Sequence, residues 1–188
     1  IITMSDKKVQ HLIDEVTKNG VYGNTNVIIA TDYNRMNLER NGNLHQVSDP
    51  KDSESKSGAY EEVLKLLTED KFLANFDKNG DCEFLRFGCT KTGDRSVLPL
   101  RLGKAGEHET KDERTSTPFT ELVDAYRGFT NFVNENTESG NKEVAQMGPV
   151  TSFAPLINEV CKMASKRRGF NLLIIISNGS IVKDSEQD

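Results

Sequence analysis

The sequence predicts an α/β sandwich built on a mainly parallel sheet, and three observations carry that reading. Stretches with helical apolar spacing alternate along the chain with short β-rich runs. The two most apolar runs, "NVIIATD" at 26–32 and "NLLIIIS" at 171–177, lack the in-and-out alternation of a sheet with one wet face, as expected of strands covered on both sides. Asp32 ends the first run and Asn178 directly follows the second, and in such folds ligands collect beyond the carboxyl ends of the strands.

The elements follow in order. Residues 5–18, "SDKKVQHLIDEVTK", set Val9, Leu12, Ile13 and Val16 on one helical face behind a Ser5 cap, and Gly20 closes the helix. After the strand at 26–32, residues 37–58 are almost devoid of apolar side chains and predict a long mobile loop, the least ordered part of the chain. The next stretch, "AYEEVLKLLTEDKFLANF", puts Tyr60, Val63, Leu64, Leu66, Leu67 and Phe72 on a wide helical stripe. "CEFLRFGC" at 82–89 reads as a second strand, and "SVLPLRLG" at 96–103 as a third that Pro99 moves to a sheet edge. A polar loop at 104–117 leads to the helix "PFTELVDAYRGFTNFV", with Thr117 as cap and Pro118 in the first turn. The helix "SFAPLINEVCKMASKR" is entered through the tight turn "MGPVT", and "NGS" breaks the last strand.

A length of 188 residues suits one domain with a substantial core. No stretch reaches the roughly 18 apolar residues needed to span a bilayer, and "IITMSDKKVQ" lacks the pattern of a secretory signal. Cys82, Cys89 and Cys161 form an odd set without metal-type spacing, which points to a reducing compartment and a cytoplasmic location. Cys82 and Cys89 are expected on opposite sides of one strand, unable to pair. The net charge of -5 argues against nucleic acid as main partner. The basic cluster Lys166, Arg167 and Arg168 falls where cations complement a helix C-terminus.

Catalytic patterns are missing. His11, His45 and His108 are expected at the surface, with no Gly-x-Ser-x-Gly elbow, and no Walker loop or dinucleotide glycine fingerprint joins a strand to a helix. "DKNGDCEFLRFG" opens like a calcium loop but has Cys82 where glycine is required and Gly88 where the closing glutamate belongs, so it reads as a solvated turn. Asp32, Asn34 and Asn37 in "TDYNRMN" suggest a metal site with Met36 out of place, although an aspartate ending a strand is more often a turn former or helix cap.

The pieces "IIATDYNRMN", "LHQV", "AYEEVLKLL", "LANFDKNG", "FLRFG", "FTELVDAYRGF", "GPVTSFAPLI" and "LLIIISNGSIV" resemble, in order, the von Willebrand factor A-like domain of copines and of the plant copine-like RING ubiquitin ligases. The resemblance covers nearly the whole chain. It implies a Rossmann-like three-layer sandwich with helices on both faces, a lead-in at 1–25 and the A-like domain at 26–188, with a further helix, strand and helix expected after "SNGSIVKDSEQD".

It also implies a metal-ion-dependent adhesion site, in which an Asp-x-Ser/Thr-x-Ser loop, a threonine and an aspartate hold a divalent ion. Matched by position, Asp32 and Thr151 are kept. The first hydroxyl becomes the neutral amide of Asn34, the second the soft thioether of Met36, and the last aspartate becomes Asn178. One carboxylate remains where two are expected, so Mg²⁺ or Mn²⁺ is expected to bind weakly or not at all. Asn34, Asn178 and Thr151 are expected to form a metal-free polar cluster instead. The implied function is a non-enzymatic module docking an unknown protein partner through loops 33–58 and 147–152. Its contact residues would be Tyr33, Arg35, Asn37, Gly148 and Ser152, with no direct membrane insertion. The alternative is an active Mg²⁺- or Mn²⁺-dependent ligand-binding domain, linked to membrane binding or ubiquitin ligation through C2 or RING domains not visible in this sequence. Oligomeric state is left open.

Overall fold

Val27, Ile28, Ile29 and Ala30 are all fully buried, and the sheet forms around them. The computed structural model describes residues 25–39, 43–49, 51–52, 54–69, 72–100, 116–140, 145–149 and 151–179. Five strands occur among them: β1 (Thr25–Asp32), β2 (Asp81–Phe87), β3 (Leu98–Pro99), β4 (Ser116–Pro118) and β5 (Phe170–Ile176). β2 and β5 flank β1 and run parallel to it, Ile29 lying between Phe84 and Ile174. The outer edge of β2 is shared by two short antiparallel segments, β4 along its first half and β3 along its second. Pro99 sits on that outermost path, where its missing N–H breaks no inner ladder.

The helices are α1 (Met36–Glu39, one turn), α2 (Ala59–Thr68), α3 (Leu122–Ser139) and α4 (Ala154–Lys166). One face of the sheet presents Val27, Ile29 and Phe84 to Leu64 of α2 and to Leu122, Tyr126, Phe129 and Val133 of α3. The other presents Ile28, Ala30, Leu85 and Phe87 to Leu156 and Val160 of α4. Side chains alternate across a strand, so a strand covered on both faces must be apolar on successive positions, as β1 is from Val27 to Ala30. The result is the three-layer α/β sandwich with a mainly parallel sheet that the sequence predicts.

Four local expectations are corrected. Thr117 does not cap a helix: it pairs with Cys82 in β4, Phe119–Glu121 form a 3-10 turn, and α3 begins at Leu122. The edge of β2 offers unpaired backbone groups, and extended pairing satisfies them. The segment 43–49 is not a solvated loop. His45 and Ser48 are buried, Leu44 N–H donates to the Asn37 carbonyl at 2.9 Å, and Gly58 N–H donates to the Gln46 carbonyl at 2.7 Å. Cys82 and Cys89 share one core cluster, because Gly88 at φ 73° interrupts the strand alternation between them. β5, expected to be buried on both faces, is an edge strand among the described residues, with Phe170 and Ile175 exposed.

Other details agree with the sequence. Asn79 N–H donates to Asp77 Oδ1 at 2.8 Å and Gly80 takes φ 76°, the expected turn before β2. Lys166 ends α4, and Arg167 just beyond it is ion-paired with Glu83. Cys82, Cys89 and Cys161 are free, and burial raises the Cys82 thiol. No described helix is long and apolar enough to cross a membrane. The expected helix at 5–18, His11, His108 and whatever follows Gly179 lie outside the described residues.

Candidate functional site

β1 delivers Asp32 to the carboxyl end of the sheet with no exposed surface. Four neutral donors surround its carboxylate. Tyr60 Oη donates to Oδ1 at 2.5 Å and Asn37 Nδ2 to the same oxygen at 2.9 Å. Asn34 Nδ2 and Ser177 Oγ each donate to Oδ2 at 2.9 Å. A carboxylate offers about four lone-pair sites, so each oxygen is fully engaged. Burial raises the Asp32 pKa, and the bonds from Tyr60, Asn37 and Ser177 oppose that rise.

His45 lies beneath this group. Its ring stacks on Tyr33 at 4.5 Å between centroids and meets Tyr60 edge-on at 4.4 Å. Its Nε2 is 2.7 Å from the Asp32 carbonyl oxygen, which can only accept, so the proton sits on Nε2. Nδ1 then accepts from Tyr126 Oη at 2.8 Å. Burial lowers the His45 pKa to about 3, outweighing the bond to the Asp32 carbonyl. The ring is therefore a neutral structural strut, not the surface histidine that the sequence suggests.

The second loop is tied on by backbone bonds. Gly148 N–H donates to the Tyr33 carbonyl at 2.8 Å, and Arg35 N–H donates to the Gly148 carbonyl at 2.9 Å. This brings in Thr151, whose Oγ1 is 2.6 Å from Asn34 Nδ2. A Cβ on Gly148 would stand 2.0 Å from the Gly88 carbonyl oxygen, a backbone atom that cannot swing aside. Gly148→Ala is expected to cost about 2 kcal/mol by overpacking; a denaturant midpoint within error of the parent would show that the strands part without cost.

Asp32, Asn34 and Thr151 thus meet, with no hydrogen bond from the Asn178 side chain among those that join them. Asn178 lies at the rim, its backbone hydrogen-bonded to the Tyr60 hydroxyl. Met36 is half-buried in α1. Asn34 Oδ1 is buried without a hydrogen-bond partner. Of the expected contact residues, Arg35 is exposed and Ser152 half-exposed. Tyr33, Asn37 and Gly148 are corrected: all three are buried, Tyr33 against Phe129 and Thr130, Asn37 under Asp32, and Gly148 between two strands, so none offers a contact surface. The sequence reading also missed His45, Tyr60 and Ser177. Their signal is faint: Tyr60 looks like any member of the apolar stripe, and Ser177 stands beside Asn178 in "SNGS".

Comparison with known proteins adds one relationship. The chain is 30% identical over 125 residues to Copine family protein 1 of Caenorhabditis elegans. The chain is similar to a copine. The matched residues make up 66% of this chain and 9% of that protein, so the chain spans a small fraction of its copine relative. No protein-family model matches the chain. The copine likeness and the sheet order agree with an A-like fold, and the Asp32 cluster stands at its ligand-collecting end.

Proposed function

We propose that this chain is a non-enzymatic, cytoplasmic protein-interaction module of the copine A-like kind, whose adhesion-type site is held by hydrogen bonds in place of a divalent ion. The carrying observation is the set of four neutral donors filling both oxygens of Asp32. An ion approaching between Asp32 and Thr151 would meet the N–H groups of Asn34 rather than lone pairs. Met36 adds only a thioether, a poor partner for a hard cation. This donor set does not fit Mg²⁺ or Mn²⁺ as arranged.

The same bonding favours a binding role over catalysis. Both nitrogens of His45 are committed inside the fold, and burial makes the ring a poor proton acceptor, which argues against a general-base role. A protein partner would meet the exposed rim, where Arg35 and Ser152 stand. Membrane binding or ubiquitin ligation would belong to C2 or RING domains, which the copine resemblance implies for the family.

The test is a thermal melt in EDTA and then in millimolar Mg²⁺, Mn²⁺ or Ca²⁺, because an ion that binds only the folded state raises the midpoint. No change is expected. One observation favours the opposite reading of an active metal site: Asn34 Oδ1 is buried without a partner, and rotating the amide would aim it at the gap between Asp32 and Thr151. A rise in midpoint that Asp32→Asn abolishes would establish that reading.

A further inference from the structure

We infer that the side-chain amide of Asn34 is a built-in substitute for a cation, and that Asn34 rather than Met36 or Asn178 keeps the ion out. The inference rests on the metal-free reading above and deepens it by assigning the exclusion to one residue. A single nitrogen, Asn34 Nδ2, lies 2.9 Å from Asp32 Oδ2 and 2.6 Å from Thr151 Oγ1. A planar NH₂ group has two diverging hydrogens, one for each oxygen, so it bridges two acceptors as a positive ion would. All three residues are at least 98% buried, and no solvent screens this bridge.

The orientation has a cost that supports the assignment. With nitrogen turned inward, Oδ1 is buried and unpaired, an arrangement that disfavours folding. The opposite orientation would set an amide oxygen 2.9 Å from a carboxylate oxygen, an acceptor facing an acceptor. Without a cation between them the inward nitrogen is the better choice. Changes at Met36 leave this bridge in place, since Met36 belongs to the turn beyond it. Asn178 is tied to the site through its backbone and the Tyr60 hydroxyl, on the other oxygen of Asp32.

The experiment is a set of thermal melts of the 188-residue chain in EDTA and in 1 mM MnCl₂, with Asn34→Asp, Asn34→Thr, Met36→Ser and Asn178→Asp beside the parent. Asn34→Asp keeps the shape, removes both N–H donors and adds a second carboxylate. In EDTA it is expected to lower the midpoint by about 10 °C, the scale of an uncompensated buried charge in a domain of this size. Mn²⁺ should restore at least half of that loss. Asn34→Thr, which adds no charge, should lose about 4 °C in EDTA and also recover in Mn²⁺, and it carries the test if the aspartate variant does not fold. Met36→Ser and Asn178→Asp alone should respond to Mn²⁺ no more than the parent. A Mn²⁺ rise in the parent itself sinks the metal-free reading. A silent parent with Asn34 variants that neither lose stability in EDTA nor respond to Mn²⁺ overturns only the role of Asn34, as does a response confined to Met36→Ser or Asn178→Asp.

Discussion

His45→Ala is expected to lower unfolding stability by about 4 kcal/mol. Truncating a buried ring of this size costs about 3–5 kcal/mol through lost packing and the cavity left behind. Here the ring is fully buried between Tyr33, Tyr60 and Tyr126. Its loss also leaves the Asp32 carbonyl with Asn37 Nδ2 at 3.1 Å as its remaining side-chain donor, and leaves the Tyr126 hydroxyl without its acceptor. His45→Phe refills the space without those bonds and should recover about half the loss. Urea unfolding followed by circular dichroism measures both. If His45→Ala costs less than about 1.5 kcal/mol, the ring is not the strut described.

Arg127→Ala is expected to cost about 3 kcal/mol, because it strips a buried carboxylate of its main cation. Glu61 has no exposed surface. Its Oε1 accepts from Arg127 Nη2 at 2.8 Å and from Ser48 Oγ at 2.5 Å, Lys65 Nζ stands 3.0 Å away, and Oε2 accepts from Ser48 N–H at 2.8 Å. Burial pushes the Glu61 pKa up, but the hydrogen bonds from Ser48, Arg127 and Lys65 prevail and bring it to about 2 from an ordinary 4.5. The sign follows from linkage. As pH falls below 4.5 the unfolded chain takes up the proton first, so this stabilisation is intact above pH 4.5 and disappears as pH falls through about 2. Roughly 2 kcal/mol is expected to vanish over that window after allowance for solvent screening of the cations. Glu61→Gln should flatten that part of the acid-unfolding curve. An unchanged acid slope in Glu61→Gln would rule out Glu61 as its source.

Both predictions involve residues from the stretch that reads as a long mobile loop, His45 directly and Ser48 as a partner of Glu61. "NLHQVSDPK" contains His45 and Ser48, and nothing in its composition separates a polar side chain in water from one buried with partners. The partners are remote: His45 bonds Tyr126 across 81 positions, and Arg127 reaches Ser48 across 79. The buried helix faces were legible in outline because their pattern is local, although Val63 and Leu66 of the expected stripe are exposed. Leu64, Leu122, Phe129, Val133, Leu156 and Val160 recur at helical spacing, and all face the sheet. Thr117 shows the limit of local rules: its place before Pro118 suits a helix cap, but the open edge of β2 claims it as strand.

The sequence by itself determined the layered α/β plan, the two apolar parallel strands and the end of β1 where Asp32 stands. Apolar periodicity and strand composition need no knowledge of distant contacts. Only the tertiary structure decided which groups surround that carboxylate. Tyr60 and Ser177 reach Asp32 from 28 and 145 positions away, and the folded chain alone brings their hydroxyls within hydrogen-bonding distance. Whether a carboxylate faces neutral donors or oxygen ligands depends on the orientation of side chains such as the Asn34 amide. Residue type leaves that orientation open, and the surrounding acceptors settle it.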